Sequence, residues 1–149
     1  MNILLKVAAL IKNKEGQILL IKEKYTEVQG YKWNLVKGTY DISSETLQEC
    51  VIREIYEEVG LKDINKVTLS WIYHYGKPEN PKILFIFDVK YSGNEHVTTQ
   101  YNKEDENVCE VKWFTQEELQ LLKQEDCMAE YVYTSINNSG EDFIVMRRI

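Results

Sequence analysis

Histidine, cysteine and proline are scarce in this chain, and each scarcity removes a class of protein. His74 and His96 are the only histidines and lack a partner at metal-binding or triad spacing, so neither is assigned catalysis. Cys50, Cys109 and Cys127 are odd in number and show no C-x-x-C spacing. They read as reduced thiols of a cytoplasmic protein, not as a disulfide framework or a zinc site. Only Pro78 and Pro81 occur, and no linker, internal repeat or low-complexity tract divides residues 1–149, so a single domain is expected. Long apolar runs are missing too. The run over residues 3–11 is broken by Lys6 and followed by Lys12 and Lys14, which marks a first strand and not a signal peptide. Nothing approaches the ~18 apolar residues of a membrane span. Nor is positive charge in excess: 18 Lys and Arg against 24 Asp and Glu leave a net charge of −6, which speaks against a general nucleic-acid surface. An acidic chain can still take phosphates where metal ions neutralise the site.

What the chain does have is acid in an unfavourable place. In Arg53-Glu54-Ile55-Tyr56-Glu57-Glu58-Val59-Gly60-Leu61, the three glutamates fall at i, i+3 and i+4. At roughly 100° per residue they project from one helix face. Thr46 and Glu49 read as a capping box and Gly60 as the C-terminal stop, which predicts a helix over 47–59. Val51, Ile52, Ile55 and Val59 make its apolar stripe, Glu49, Arg53 and Tyr56 fall on the far side, and the acids lie on the flank between stripe and solvent. Like charges at this spacing repel by a few tenths of a kcal/mol. Glu57 and Glu58 also sit against the negative end of the helix dipole. A solvated acidic face is the plain alternative, but it predicts acids opposite the stripe and leaves their C-terminal placement unexplained. A bound divalent cation resolves the conflict, and carboxylate oxygens suit Mg²⁺ or Mn²⁺.

Glu45, seven intervening residues and then Arg53-Glu54-Ile55-x-Glu57-Glu58-x-Gly60-Leu61 resembles the signature of the Nudix hydrolases, G-x5-E-x7-R-E-U-x-E-E-x-G-U, where U is a bulky aliphatic. At ordinary residue usage, chance supplies such a match in about one chain of this length in 10⁵. The motif covers residues 39–61. Trp33-Asn34-Leu35-Val36-Lys37-Gly38 upstream, and Val111-Lys112-Trp113-Phe114 with Glu117-Glu118-Leu119 downstream, resemble the family's flanking elements. The resemblance implies metal-dependent hydrolysis of a nucleoside diphosphate linked to another moiety, by attack of water at phosphorus. It implies Glu54, Glu57 and Glu58 as metal ligands, Arg53 as their organiser, and Glu45 as a support that ties the loop to Arg53. Family members often draw a further acid from a loop before the late strand; Glu104, Asp105 and Glu106 all lie there, and Glu106 is chosen as the closest to the strand. The general base stays open among these acids.

The sequence departs from the pattern where the motif's first glycine should stand, since Thr39 occupies that place directly after Gly38. Lys37, Ile42 and Ser44 also replace residues common in the family. A different loop path is expected, with Gly38 taking the strained backbone conformation. Lys37, Gly38 and Tyr40 are the substrate-side candidates, Lys37 for a phosphate and Tyr40, with Tyr31, for a stacking contact. Trp33 reads as structural, and Trp71, Tyr73 and Tyr75 share one strand face with Val67 and Leu69, as core.

The remaining pattern predicts a hairpin of strands 4–12 and 17–24 around residues 13–16, and a short strand at 33–37. Strands follow near 66–76, 82–91 and 108–113, with a loop over 92–107 between the last two. A helix follows the Thr115/Glu118 capping box with a Phe114/Leu119 staple, a last helix lies near 127–137, and a strand covers Phe143 to Met146. The expected class is α+β, similar to the Nudix α/β/α sandwich with a mixed β-sheet. Partners are then a small nucleotide-type substrate, with neither membrane nor nucleic acid, and a homodimer is compatible because dimers are common in the family. Two other readings stand beside the hydrolase: a catalytically silent Nudix-fold regulator that binds a nucleotide, and a scaffold whose acidic patch meets a basic partner.

Overall fold

β1 (Leu4–Lys12) and β2 (Ile18–Thr26) form the expected hairpin, with Gly16 at φ 78° in the turn and the Gln17 amide donating to Asn13 Oδ1. In this computed structural model, which describes residues 2–102, 107–137 and 146–148, the two strands pair only at Ile11↔Leu19 and Lys12↔Ile18. Beyond those pairs they part. β1 pairs antiparallel with β4 (Val36–Thr39) and parallel with β6 (Asn80–Tyr91). β2 pairs with β3 (Gly30–Asn34) and β7 (Val108–Phe114). β5 (Ile64–Lys77) lies antiparallel to β6 and parallel to β8 (Met146–Arg148). The mixed sheet runs β3-β2-β1-β6-β5-β8, with β4 on β1 and β7 on β2.

Alternation along the strands divides the core in two. Val7, Ala9 and Ile11 of β1, with Phe87 and Val89 of β6, face α1 (Leu47–Val59), which buries Cys50, Val51, Ile55 and Val59 against them. Ala8, Leu10, Leu84 and Ile86 face the other way, onto α3 (Glu130–Asn137) through Tyr131, Val132 and Ile136, and onto Leu119 of α2 (Gln116–Leu121). Each fully buried Val, Leu, Ile or Phe among them contributes about 1.5–3 kcal/mol. The result is the α/β/α arrangement expected from the sequence, and it presents α1 alongside β4 and the split between β1 and β2.

Some elements differ from expectation. Ile52 is 41% exposed, and Cys50 takes its place in the buried stripe. The short strand at 33–37 is broken at Leu35, whose amide donates to the Asn34 side-chain oxygen at 2.9 Å. Val67 and Leu69 do not share a face with Trp71, Tyr73 and Tyr75. A register shift between Leu69 and Trp71 turns the first pair toward α1 and the aromatics toward α3, because one extra residue reverses every side chain beyond it. The Thr115/Glu118 box forms in both directions, whereas Thr46 caps α1 by accepting from the Glu49 amide at 3.2 Å. The last helix begins at Glu130, after a 3-10 turn at Gln124–Asp126. Phe143, Ile144 and Val145 lie outside the described residues.

Candidate functional site

Arg53 is the hub. Its Nε and Nη2 donate to the two carboxylate oxygens of Glu45 at 2.9 and 2.8 Å. Its Nη1 donates to Glu54 Oε1 at 2.9 Å and Glu57 Oε2 at 3.0 Å. The fork geometry of guanidinium makes this possible: two atoms grip one carboxylate while the third reaches along the helix to the others. The Glu45 and Glu54 side chains are 8% and 14% exposed, while Glu57 at 45% opens to solvent. Glu58 is half-buried on the same helix. The Arg53 guanidinium beside Glu45 holds that carboxyl down at about 2, and Glu45 in turn raises Arg53, which stays protonated throughout. Burial, then the Glu45 contact, pushes the Cys50 thiol up to about 12, so it remains a protonated donor toward the Thr39 carbonyl.

Glycine is needed at 38 for a reason other than the expected one. Gly38 has no positive φ; it lies within β4, and a Cβ there would stand 1.9 Å from Glu54 Cδ. The strand backbone forms the floor on which the Glu54 carboxylate lies, so the close approach, and not backbone strain, demands glycine. The loop from Gly38 to Glu45 is then held by Asp41, whose carboxylate accepts from the Ser43 amide and from both serine hydroxyls.

Of the other candidates, Lys37 is half-buried on β4, Tyr40 packs half-buried against the α1-side core, and Tyr31 is 50% exposed. Trp33 is buried edge-to-face on Phe114 at 4.7 Å. Glu104, Asp105 and Glu106 lie outside the described residues.

The sequence reading missed a polar group in the split between β1 and β2. Asn34, fully buried, accepts from the Tyr131 hydroxyl at 2.7 Å and donates to Glu23 Oε1 at 3.3 Å. Burial raises the Tyr131 hydroxyl, and the charges of Glu23 and of Glu58 from α1 act in the same direction. The available signal was a polar Asn34 between Trp33 and Leu35 inside an apolar strand.

Among the described residues, no three His, Cys, Asp or Glu side chains stand close enough together to hold a metal ion. The donor set nonetheless fits a hard cation. One positive atom, Arg53 Nη1, already draws an oxygen of Glu54 and one of Glu57 to itself, and Mg²⁺ commonly takes only one or two carboxylates and completes its shell with water and substrate phosphates.

Likenesses to known proteins bear on the fold. The model of the NUDIX domain matches residues 3–134. An uncharacterised Nudix hydrolase of Listeria monocytogenes is 28% identical over 114 residues, covering 74% of this chain and 63% of its own length, so the chain spans less than two thirds of that relative. A Nudix hydrolase from Nitrosomonas europaea superimposes with a TM-score of 0.75 at 19% identity, over all of this chain and 80% of the other. The NUDIX domain of Shewanella oneidensis NrtR, solved with ADP ribose, gives 0.70 at 16% identity over 93% and 87% of the two chains. At such identities the structural likenesses establish the fold. With acids, arginine and glycine arranged as described, and the domain model matching residues 3–134 of the 149, the chain belongs to the NUDIX domain family, whose hydrolases use divalent metal ions.

Proposed function

We propose that this chain is a metal-dependent pyrophosphohydrolase that cleaves a nucleoside diphosphate linked to another moiety, water attacking at phosphorus. The observation that carries the reading is the single guanidinium gathering Glu45, Glu54 and Glu57 at 2.8–3.0 Å. Glu54, Glu57 and Glu58 would hold Mg²⁺, or Mn²⁺ in its place, with Glu106 as a further ligand. When bound, such an ion neutralises diphosphate charge and lowers the pKa of a coordinated water. Arg53 and Glu45 keep the acids oriented and ionised. Lys37 offers a charge to phosphate, Gly38 leaves room for Glu54, and Tyr40 borders the loop. Residues 1–149 work as one domain in the cytoplasm, and a homodimer is compatible with this reading.

The test is a turnover screen in Mg²⁺ over nucleoside triphosphates, dinucleoside polyphosphates, sugar nucleotides and ADP-ribose, run beside Glu57→Gln. Wild type is expected to release phosphate-containing products from at least one class, and the variant to fall at least about 10²-fold. Equal rates for the two would sink the roles given to the acids. The structural likeness to a NUDIX domain that holds ADP ribose favours one second reading, a nucleotide-binding regulator. That reading expects saturable ADP-ribose binding without product under the same conditions.

A further inference from the structure

Lys37, Lys6 and Lys82 stand on one face of three adjacent strands. Lys37 of β4 lies opposite Ala8 of β1, and Lys82 of β6 lies opposite Leu4. Lys6 is two residues from each of those β1 positions and shares their parity, on the face away from α1. The three thus form a diagonal row with steps of about 7–8 Å. All are half-buried. Among the described residues none of the three makes an ion pair. Burial first, then the charges of Lys37 and Lys82, lower Lys6, while Glu23 and Glu54 pull it up. Lys82 Nζ lies over the Tyr75 ring at 5.6 Å, which fixes one end of the row.

Three like charges on neighbouring strands oppose folding. Lysines that merely shed their heads into water have no need to line up on one face or to bury their stems beside each other. An anion with several charged oxygens would relieve all three at once. Lys6 also lies within electrostatic reach of Glu54, a proposed metal ligand.

We infer that Lys6, Lys37 and Lys82 form an oligophosphate subsite that favours substrates with three or more linked phosphates over a diphosphate joined to a neutral group. This deepens the proposed hydrolysis and rests on the same site.

Thermal melting in EDTA, with sodium tripolyphosphate and sodium diphosphate as probes, reads the subsite without turnover. Wild type and Glu57→Gln are expected to melt higher with tripolyphosphate, by mass action, and to saturate at lower concentration than with diphosphate. Lys6→Gln and Lys82→Gln each raise the half-saturating concentration about tenfold, as loss of a charge-assisted contact requires. Lys6→Arg restores it, and Lys66→Gln at an exposed position of β5 leaves it unchanged. The subsite is overturned if tripolyphosphate shifts nothing in the wild type, if the Lys6→Gln/Lys82→Gln double variant saturates as the wild type does, or if sodium sulfate at matched ionic strength shifts melting equally. Loss of binding in the lysine variants, beside wild-type turnover by Glu57→Gln, would leave the subsite standing and remove the catalytic assignment. Unchanged binding with turnover dependent on Glu57 would do the reverse.

Discussion

Gly38→Ala separates placement of the acids from stability of the fold. The added methyl would stand 1.9 Å from Glu54 Cδ and 2.1 Å from Oε1, against the 3.4 Å at which ordinary contact begins, so the carboxylate must move by about 1.5 Å. Glu54 can move, because it is a flexible side chain, and the backbone at 38 is ordinary strand that accepts alanine. Alanine in a strand even gains roughly 0.5–1 kcal/mol over glycine in backbone entropy, which offsets the lost contact between Glu54 and Arg53. The unfolding midpoint in urea should therefore stay within about 1 kcal/mol of wild type. Activity should not. A displacement of about 1 Å in a positioned group costs on the order of 10²-fold, so kcat/KM on the substrate found in the screen should fall at least that far, close to the loss from Glu54→Gln. A Gly38→Ala enzyme that keeps its rate within about threefold would refute the assignment of Gly38 as the floor for Glu54.

Acid stability follows from Glu45. Its folded pKa of about 2 lies below the usual carboxylate value, so its contribution is complete above about pH 4.5 and is lost as pH falls toward 2. With Arg53 38% exposed and screened by solvent, roughly 1–2 kcal/mol is at stake. Urea midpoints measured between pH 6 and pH 3 should fall more steeply in wild type than in Glu45→Gln, and parallel curves would contradict the pairing. In the strand split, Tyr131→Phe should cost about 1 kcal/mol. Asn34→Leu should cost about 3, because it leaves the buried Tyr131 hydroxyl and Leu35 amide without their acceptor. Equal losses in the two variants would show that Asn34 is not the centre of that network.

The part of the site carried on α1 was legible because its signals are local. Thr46, Gly60 and the spacing of Glu54, Glu57 and Glu58 all lie within one helix, and Arg53 reaches Glu57 by helix geometry alone. The buried central strand was legible in the same way, from the run at residues 83–87. What escaped depends on contacts between distant segments. The close approach at Gly38 exists only once β4 lies beside α1, and the row of lysines only once β4, β1 and β6 are in register. The reversal at Leu69 and Trp71 comes from an irregularity in strand pairing that a strict period of two cannot show. Ile52 and Cys50 exchanged roles because they flank Val51 at about 100° on either side, and the way α1 is turned on the sheet decides which flank is covered.

The parallel pairing of β1 with β6 has a consequence for how the molecule is made. β1 is synthesised before β6, yet one of its edges is completed only by residues 82–90, after α1 and β5 have been translated. Until then α1 has an apolar stripe and an incomplete surface to rest it on, so nascent chains that stop short of β6 should be sticky and dependent on holding factors. Assembly of the sheet is a late, non-local event on the millisecond scale or slower.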